Sequence, residues 1–62
     1  MSKVKEIILN KTGQHAIVVD VNNDQWYCQL TRQENVSVSD YLIDVFLFFN
    51  QFRDEYFNCD VA

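Results

Sequence analysis

The sequence contains no proline and a single glycine, Gly13, among its 62 residues. Flexible linkers and low-complexity segments are rich in these residue types, so the composition gives no sign of either. We therefore predict one domain that covers residues 1–62. A chain of this length buries only about 60% of the surface of its unfolded form, so its margin of stability is small.

Histidine and cysteine, the usual ligands of zinc, are also scarce, because the chain has one histidine, His15, and two cysteines, Cys28 and Cys59. A structural zinc site needs four ligands, usually in pairs about two to four residues apart, and these three residues are scattered. The stretch from Asp20 to Asp24 begins like a calcium-binding loop but lacks the glycine and the glutamate that such loops need. We predict no metal and no cofactor, and we interpret this stretch as a hairpin turn.

The motifs on which most enzymes depend are missing as well. The sequence has no glycine-rich phosphate loop, no paired catalytic carboxylates in a cleft, and no oxyanion-forming loop to accompany His15 and Cys28. A chain of this size also has little room for a pocket of about 300 Å³ or more, the scale of small-molecule sites. We predict a protein that is not an enzyme and has no catalytic residues.

Long apolar runs are absent. The N-terminal stretch has an apolar run of three residues, 7–9, and no small-residue cleavage site typical of a signal peptide. The apolar stretch from Tyr41 to Phe49 contains Asp44 and spans about nine residues, whereas a membrane-spanning helix needs about 20. We expect a cytoplasmic protein, in a bacterial or a host cell, whose cysteines are reduced.

Basic residues are few in the second half of the chain. Residues 1–33 hold four basic and three acidic residues, a charge of +1, and residues 34–62 hold one basic and six acidic residues, a charge of −5. Negative charge repels nucleic acid and anionic membranes and attracts basic surfaces. The charge distribution favours a protein partner with a basic surface and argues against a nucleic-acid or membrane partner.

Three segments have the composition or the alternation of β-strands, namely Val4–Leu9, His15–Val21 and Gln25–Thr31. Gly13 and the stretch 22–24 supply turns between them, since glycine, asparagine and aspartate tolerate left-handed backbone. Short turns between successive strands predict an antiparallel meander. The middle strand has apolar residues on both of its faces, whereas a sheet with one solvated face should alternate more cleanly.

A polar connection leads into one long helix, which we predict from about Ser39 to about Asn58. Ser37 and Asp40 have the spacing of a capping box at its start. The predicted fold is α+β in two layers, with a three-stranded antiparallel β-meander followed by one long C-terminal α-helix packed on the sheet (βββα).

The apolar residues of the helix cover close to half of its circumference on a helical wheel, more than one small sheet can bury. We predict Phe46 and Phe49 as core residues near the centre of this arc, packed on Trp26 or Ile17. The residues of the arc are Leu42, Val45, Phe46, Phe49, Phe52, Tyr56 and Phe57.

Several side chains remain as candidates for contact with another chain. Ile43 and Leu47 lie outside the apolar arc, and Tyr27 must face the opposite side of the sheet from its neighbour Trp26. This surplus predicts a homodimer or a higher oligomer, which Leu47→Asp should break if the Ile43–Leu47 stripe forms it. The polar side of the helix adds four acidic candidates for partner binding, Asp40, Asp44, Asp54 and Glu55.

The sequence thus favours a small acidic, non-enzymatic protein that docks an acidic and apolar surface on a partner protein and inhibits or regulates it. Its general character is similar to that of the small inhibitors carried by phages and mobile elements. In one version of this hypothesis, the carboxylates occupy the places of nucleic-acid phosphates. The alternatives are a structural subunit or self-assembling component of a larger complex, and a nucleic-acid-binding module that uses the +1 half of the chain.

Overall fold

The computed structural model describes residues 4–59 as a four-stranded antiparallel sheet with one helix packed on it. The elements in chain order are β1 (Val4–Leu9), β2 (Ala16–Asp20), β3 (Gln25–Cys28), α1 (Val38–Tyr56) and β4 (Phe57–Cys59). Neighbouring strands in the sheet follow the order β1-β2-β3-β4. The predicted α+β architecture is confirmed, and the short fourth strand after the helix is an addition to it.

Two tight turns join the first three strands at the predicted positions. Gly13 and Asn23 have φ angles of 72° and 68°, in the left-handed region that glycine and asparagine tolerate best. In the first turn, the side-chain oxygen of Asn10 accepts hydrogen bonds from the backbone N–H groups of Gln14 and His15, at 3.1 and 3.2 Å. These bonds hold β1 and β2 in an antiparallel hairpin.

The helix begins where the capping box predicts. The Ser37 hydroxyl oxygen accepts a hydrogen bond from the backbone N–H of Asp40 at 3.1 Å. A serine at this position stabilises a helix by about 1 kcal/mol. The negative charge of Asp40 in the first turn interacts favourably with the positive end of the helix dipole. The observed start at Val38 lies one residue before the predicted start.

The helix ends two residues before the predicted end near Asn58, because a short strand follows it. Phe52 has φ −134° and ψ 36°, outside the helical region, so the helix bends there, and it ends at Tyr56. Phe57 is extended and opposite Cys28 in the pairing of β3 with β4. This pairing supplies hydrogen-bond partners to the open edge of β3 and buries the Phe57 side chain, of which 3% is exposed. A three-residue strand is too short to show a period of its own, so the helical pattern of the sequence continues through it.

The strands β2 and β3 are shorter than their sequence patterns indicate. His15 and Val21 lie outside β2, and the chain leaves the sheet after Cys28. Beyond β3 the Leu30 carbonyl accepts hydrogen bonds from the Tyr41 hydroxyl and from the Cys28 thiol. This carbonyl therefore bonds to core side chains instead of extending the strand.

The core lies between the helix and one face of the sheet. The Phe49 ring meets Trp26 with a centroid distance of 5.7 Å and Phe57 with one of 5.2 Å, both edge to face, an arrangement that aromatic rings favour. The predicted core role of Phe49 and its packing on Trp26 are thus confirmed. The buried cluster consists of Ala16, Val18, Cys28, Tyr41, Val45, Phe49 and Phe57.

The predicted core role of Phe46 is wrong, because 37% of its surface is exposed, and Phe52 is similarly exposed at 39%. The buried residues of the helix are Tyr41, Val45 and Phe49, at intervals of four. The stripe facing the sheet is therefore centred on the side away from Phe46. The wheel misplaced this centre because its apolar arc left out Tyr41, whereas the Tyr41 hydroxyl bonds to a backbone carbonyl and its ring is buried.

Candidate protein-interaction surface

The first three turns of α1 carry apolar side chains on the side that faces away from the sheet. Ile43 is 57% exposed and Leu47 is 45% exposed. Residues four apart are neighbours on one side of a helix, so these two side chains form a continuous apolar strip. Phe46, three residues after Ile43, widens the strip toward the other side of the helix.

Asp40 and Asp44 lie along the border of this strip, again four residues apart, and both are exposed. Among residues 4–59, no hydrogen bond or ion pair engages either side-chain carboxylate. Two like charges at this spacing destabilise a helix by about 0.2–0.5 kcal/mol. We call Asp40, Ile43, Asp44, Phe46 and Leu47 the outer helix surface.

Asp54 and Glu55 do not continue the outer helix surface. They are exposed in the last turn, beyond the bend at Phe52. The regular rise of a straight helix is therefore interrupted between Asp44 and Asp54. The hypothesis that these carboxylates occupy the places of evenly spaced phosphates depends on that regular rise. Asp40 and Asp44 thus lie in the regular part of the helix before the bend, and Asp54 and Glu55 lie after it.

An open recess of about 420 Å³ lies at this bend and is lined by residues 49–55. It is larger than the sequence led us to expect for so short a chain. All of its walls come from one stretch of helix, so it is a depression of the surface and not an enclosed site. Residues 4–59 contain no group of three potential metal ligands there or elsewhere.

Arg53 is the one basic residue in the acidic segment 34–62, and its side chain lies over two aromatic rings. Its guanidinium carbon lies 5.0 Å from the centre of the Trp26 ring and 5.8 Å from that of Phe49. Both distances are within the range of cation–π attraction. The Trp26 indole N–H in turn donates a hydrogen bond to the carboxylate of Asp20 at 3.1 Å.

Asp20 is a buried carboxylate whose contacts define the second turn. It accepts hydrogen bonds from the backbone N–H groups of Asn22 and Asp24, at 2.8 and 3.0 Å, besides the one from Trp26. The Trp26 bond and these backbone bonds, with the charge of Arg53, lower the pKa of Asp20 against the opposing effect of burial. The interpretation of this stretch as a hairpin turn is confirmed. The sequence pattern did not reveal the contacts of Trp26 with Asp20 and Arg53.

A second cavity, of about 190 Å³, opens between the helix and the connection that precedes it. Its apolar walls include Val36 and Phe48, and Asp44 is its one acidic residue. We call it the Asp44 groove, and its lining residues are Leu30, Thr31, Gln33, Val36, Tyr41, Asp44, Val45 and Phe48.

Cys28 and Tyr41, both in the buried core, have the character of structural residues. Burial raises the pKa of the Cys28 thiol, and it raises the pKa of Tyr41 to about 12. Both groups are therefore protonated at neutral pH, and a protonated thiol is a poor nucleophile. The interpretation of Cys28 as a small core residue is confirmed.

Tyr27 lies on the face of the sheet opposite the helix. It pairs with Ile17 in β2, and Ile17 pairs with Ile8 in β1, so the three side chains form a row on one face. Tyr27 and Ile8 are each 40% exposed. We call this row the open sheet surface. The sheet and the core separate Tyr27 from Ile43 and Leu47, so the predicted partner-binding residues do not form one surface.

Comparisons with known proteins find no match to a family model, to a curated protein or to a solved structure. Within the part of the chain that the structure describes, no helix has the length and the apolar character needed to cross a membrane.

Proposed function

We propose that this chain is a small acidic, non-enzymatic protein that inhibits or regulates a partner protein in the cytoplasm by docking its outer helix surface on that partner. The observation that carries the proposal is the exposure of Ile43 and Leu47, at 57% and 45%, directly beside the carboxylates of Asp40 and Asp44. An apolar centre with a polar border is the usual anatomy of a protein interface.

The helical form of this surface suggests how it docks. Ile43, Phe46 and Leu47 have the i, i+3, i+4 spacing with which helices anchor themselves in the apolar groove of a partner. The helix is held on its own sheet by a different set of side chains, those around Val45 and Phe49. The anchors are therefore available to a partner without any unfolding of the core.

The charge of the surface favours a basic partner. Residues 34–62 carry a charge of −5, and Arg53, their one basic residue, lies on aromatic rings. Charge complementarity speeds association and excludes wrong partners. It also argues against a symmetric contact of the outer helix surface with itself, because a two-fold axis would bring Asp40 and Asp44 of both copies together.

Affinity capture with matched variants tests the proposal. The tagged protein is used to capture partners from cells of its source, and the affinity of each purified partner is measured by calorimetry. We expect Ile43→Ser with Leu47→Ser to weaken binding by at least about 100-fold, since each buried aliphatic side chain contributes about 1.5–3 kcal/mol. Ile8→Ser, a change of the same kind on the open sheet surface, is the control. If the control loses binding and the helix variant keeps it, the docking surface is wrongly assigned.

Self-assembly is a second candidate function, favoured by the open sheet surface. The row formed by Ile8, Ile17 and Tyr27 is uncharged, and its exposed members lie on the side of the molecule that the helix does not cover. Two such faces can pack on each other without like charges meeting along the row. This candidate predicts an assembly whose formation depends on Tyr27 and is insensitive to salt.

A further inference from the structure

The Asp44 groove adjoins the outer helix surface. Asp44 contributes to both, and Leu47 lies three residues further along the same side of the helix. A partner docked on Ile43 and Leu47 therefore also reaches the mouth of the groove. The character of the groove then determines which side chain of the partner it accepts.

We propose that the Asp44 groove receives a basic side chain of the partner protein. The methylene stem of this partner side chain lies against the apolar walls that include Val36 and Phe48, and the charged group of the side chain meets the carboxylate of Asp44. This inference rests on the proposed function, since both require a partner with a basic surface. It adds the position and the chemistry of one recognition contact.

The size and the lining of the groove support this occupant. A volume of about 190 Å³ is smaller than the roughly 300–1,000 Å³ of small-molecule sites and is on the scale of a single inserted side chain. Lysine and arginine place their methylene groups on apolar surface while the charged end stays at the rim. The hydroxyl of Tyr41, a lining residue, donates its hydrogen bond to the Leu30 carbonyl, so it does not require a polar ligand.

The charges around the groove favour a cation on balance. Among residues 4–59, neither Asp44 nor Asp40, one turn earlier, has a hydrogen bond or ion pair at its carboxylate. Arg32 is the positive charge next to the groove, because its guanidinium donates a hydrogen bond to the carbonyl of Val36, a lining residue. It donates another to the carbonyl of Gly13, and both bonds measure 2.8 Å. These bonds hold the Arg32 side chain against the backbone, and of the residues that line the groove only Asp44 is charged.

Capped tripeptides with lysine, arginine or norleucine between two glycines probe the groove in the intact protein. They are titrated into the isotope-labelled chain at low salt and followed by nuclear magnetic resonance. We expect saturable shifts in the backbone signals of residues 30–36 and 44–48 with the lysine and arginine peptides, with dissociation constants in the millimolar range. Norleucine has the stem without the charge and should bind more weakly.

Asp44→Asn is the critical variant and Asp40→Asn its matched control, because both remove one negative charge from an exposed helical position. We expect Asp44→Asn to weaken binding of the lysine peptide about three- to five-fold, as for an exposed ion pair, and Asp40→Asn to have less than half of that effect. Equal losses in both variants would indicate a diffuse electrostatic attraction and overturn the proposal. So would absence of saturation, or norleucine binding as tightly as lysine.

The two proposals fail separately. If the peptides do not occupy the groove but partner capture still depends on Ile43 and Leu47, the groove assignment is wrong and the docking surface stands. If the lysine peptide binds at Asp44 but captured partners do not depend on Ile43 and Leu47, the proposed function is wrong.

Discussion

The Asp20 carboxylate shows how one buried side chain organises a turn of this fold. It accepts the N–H groups of Asn22 and Asp24 and fixes the Trp26 ring, on which Arg53 lies. The sequence indicated the turn, because residues 20–24 are rich in asparagine and aspartate. It did not indicate the link to Trp26 and Arg53, because Arg53 lies far along the chain and is brought there only by the packing of the helix.

We predict that ionised Asp20 stabilises the fold and that this contribution depends on pH. The pKa of Asp20 is lowered in the folded protein, foremost by the Trp26 hydrogen bond. The contribution is therefore complete above the ordinary pKa of 3.8 and is lost as the pH falls through the folded value. Asp20→Asn should unfold at a lower urea concentration than the wild type at pH 7, and the difference should shrink in acid.

Asp24→Asn is the control for this measurement. Asp24 is exposed and joins the turn through its backbone. The urea concentration at the midpoint of unfolding of Asp24→Asn should therefore follow that of the wild type at every pH. A difference between wild type and Asp20→Asn that stays constant from neutral pH into strong acid would show that the Asp20 charge does not contribute to stability.

At the scale of the elements, sequence signals were reliable where a local interaction determines the structure. The capping box at Ser37 placed the helix start within one residue, and the turn residues placed both hairpins. The helix end was not predictable in this way. It depends on the pairing of β4 with the edge of β3, a contact between residues about 30 positions apart that no local pattern encodes.

The buried side of the helix gives a prediction that separates its two central phenylalanines. Phe49→Ala removes a ring that packs on Trp26 and Phe57 and should cost about 3–5 kcal/mol. That equals the whole stability expected for a chain of this size, about 3–5 kcal/mol, so the variant should be largely unfolded. Phe46→Ala should cost less than half as much, because 37% of Phe46 is already exposed.

Circular dichroism during heating measures both variants under the same conditions. Phe46→Ala should retain a cooperative transition, whereas Phe49→Ala should show none or one at a much lower temperature. An unfolded Phe46→Ala beside a stable Phe49→Ala would mean that the helix turns its other side to the sheet.

At the scale of the whole molecule, the apolar surplus that the sequence indicated is divided between two opposite sides. Ile43 and Leu47 are exposed on the helix, and Ile8 and Tyr27 on the far face of the sheet. Strand alternation and the helical wheel identified three of these four side chains. They did not show that the two groups are separated by the core, because that follows from which face of the sheet the helix covers. One chain therefore has room for two different contacts at once.

We predict that the chain forms a homodimer through the open sheet surface and leaves the outer helix surface for a partner of another kind. The physical reason is charge, because a two-fold contact at the helix would bring together the acidic residues beside Leu47, whereas the row at Tyr27 is uncharged. Light scattering at micromolar concentration should give a mass above the 7.4 kDa of one chain. Tyr27→Asp should reduce the mass to that of the monomer, and Leu47→Asp should not.

The Leu47→Asp variant is the matched control, because it adds the same charge on the opposite side and outside the core. If it dissociates the assembly while Tyr27→Asp does not, self-association belongs to the outer helix surface, and a basic partner would have to compete with the second copy. A wild-type mass of 7.4 kDa would rule out the dimer at that concentration. Both apolar surfaces would then be candidates for binding other proteins, and affinity capture with the Ile43→Ser, Leu47→Ser and Ile8→Ser variants would show which of them a partner uses.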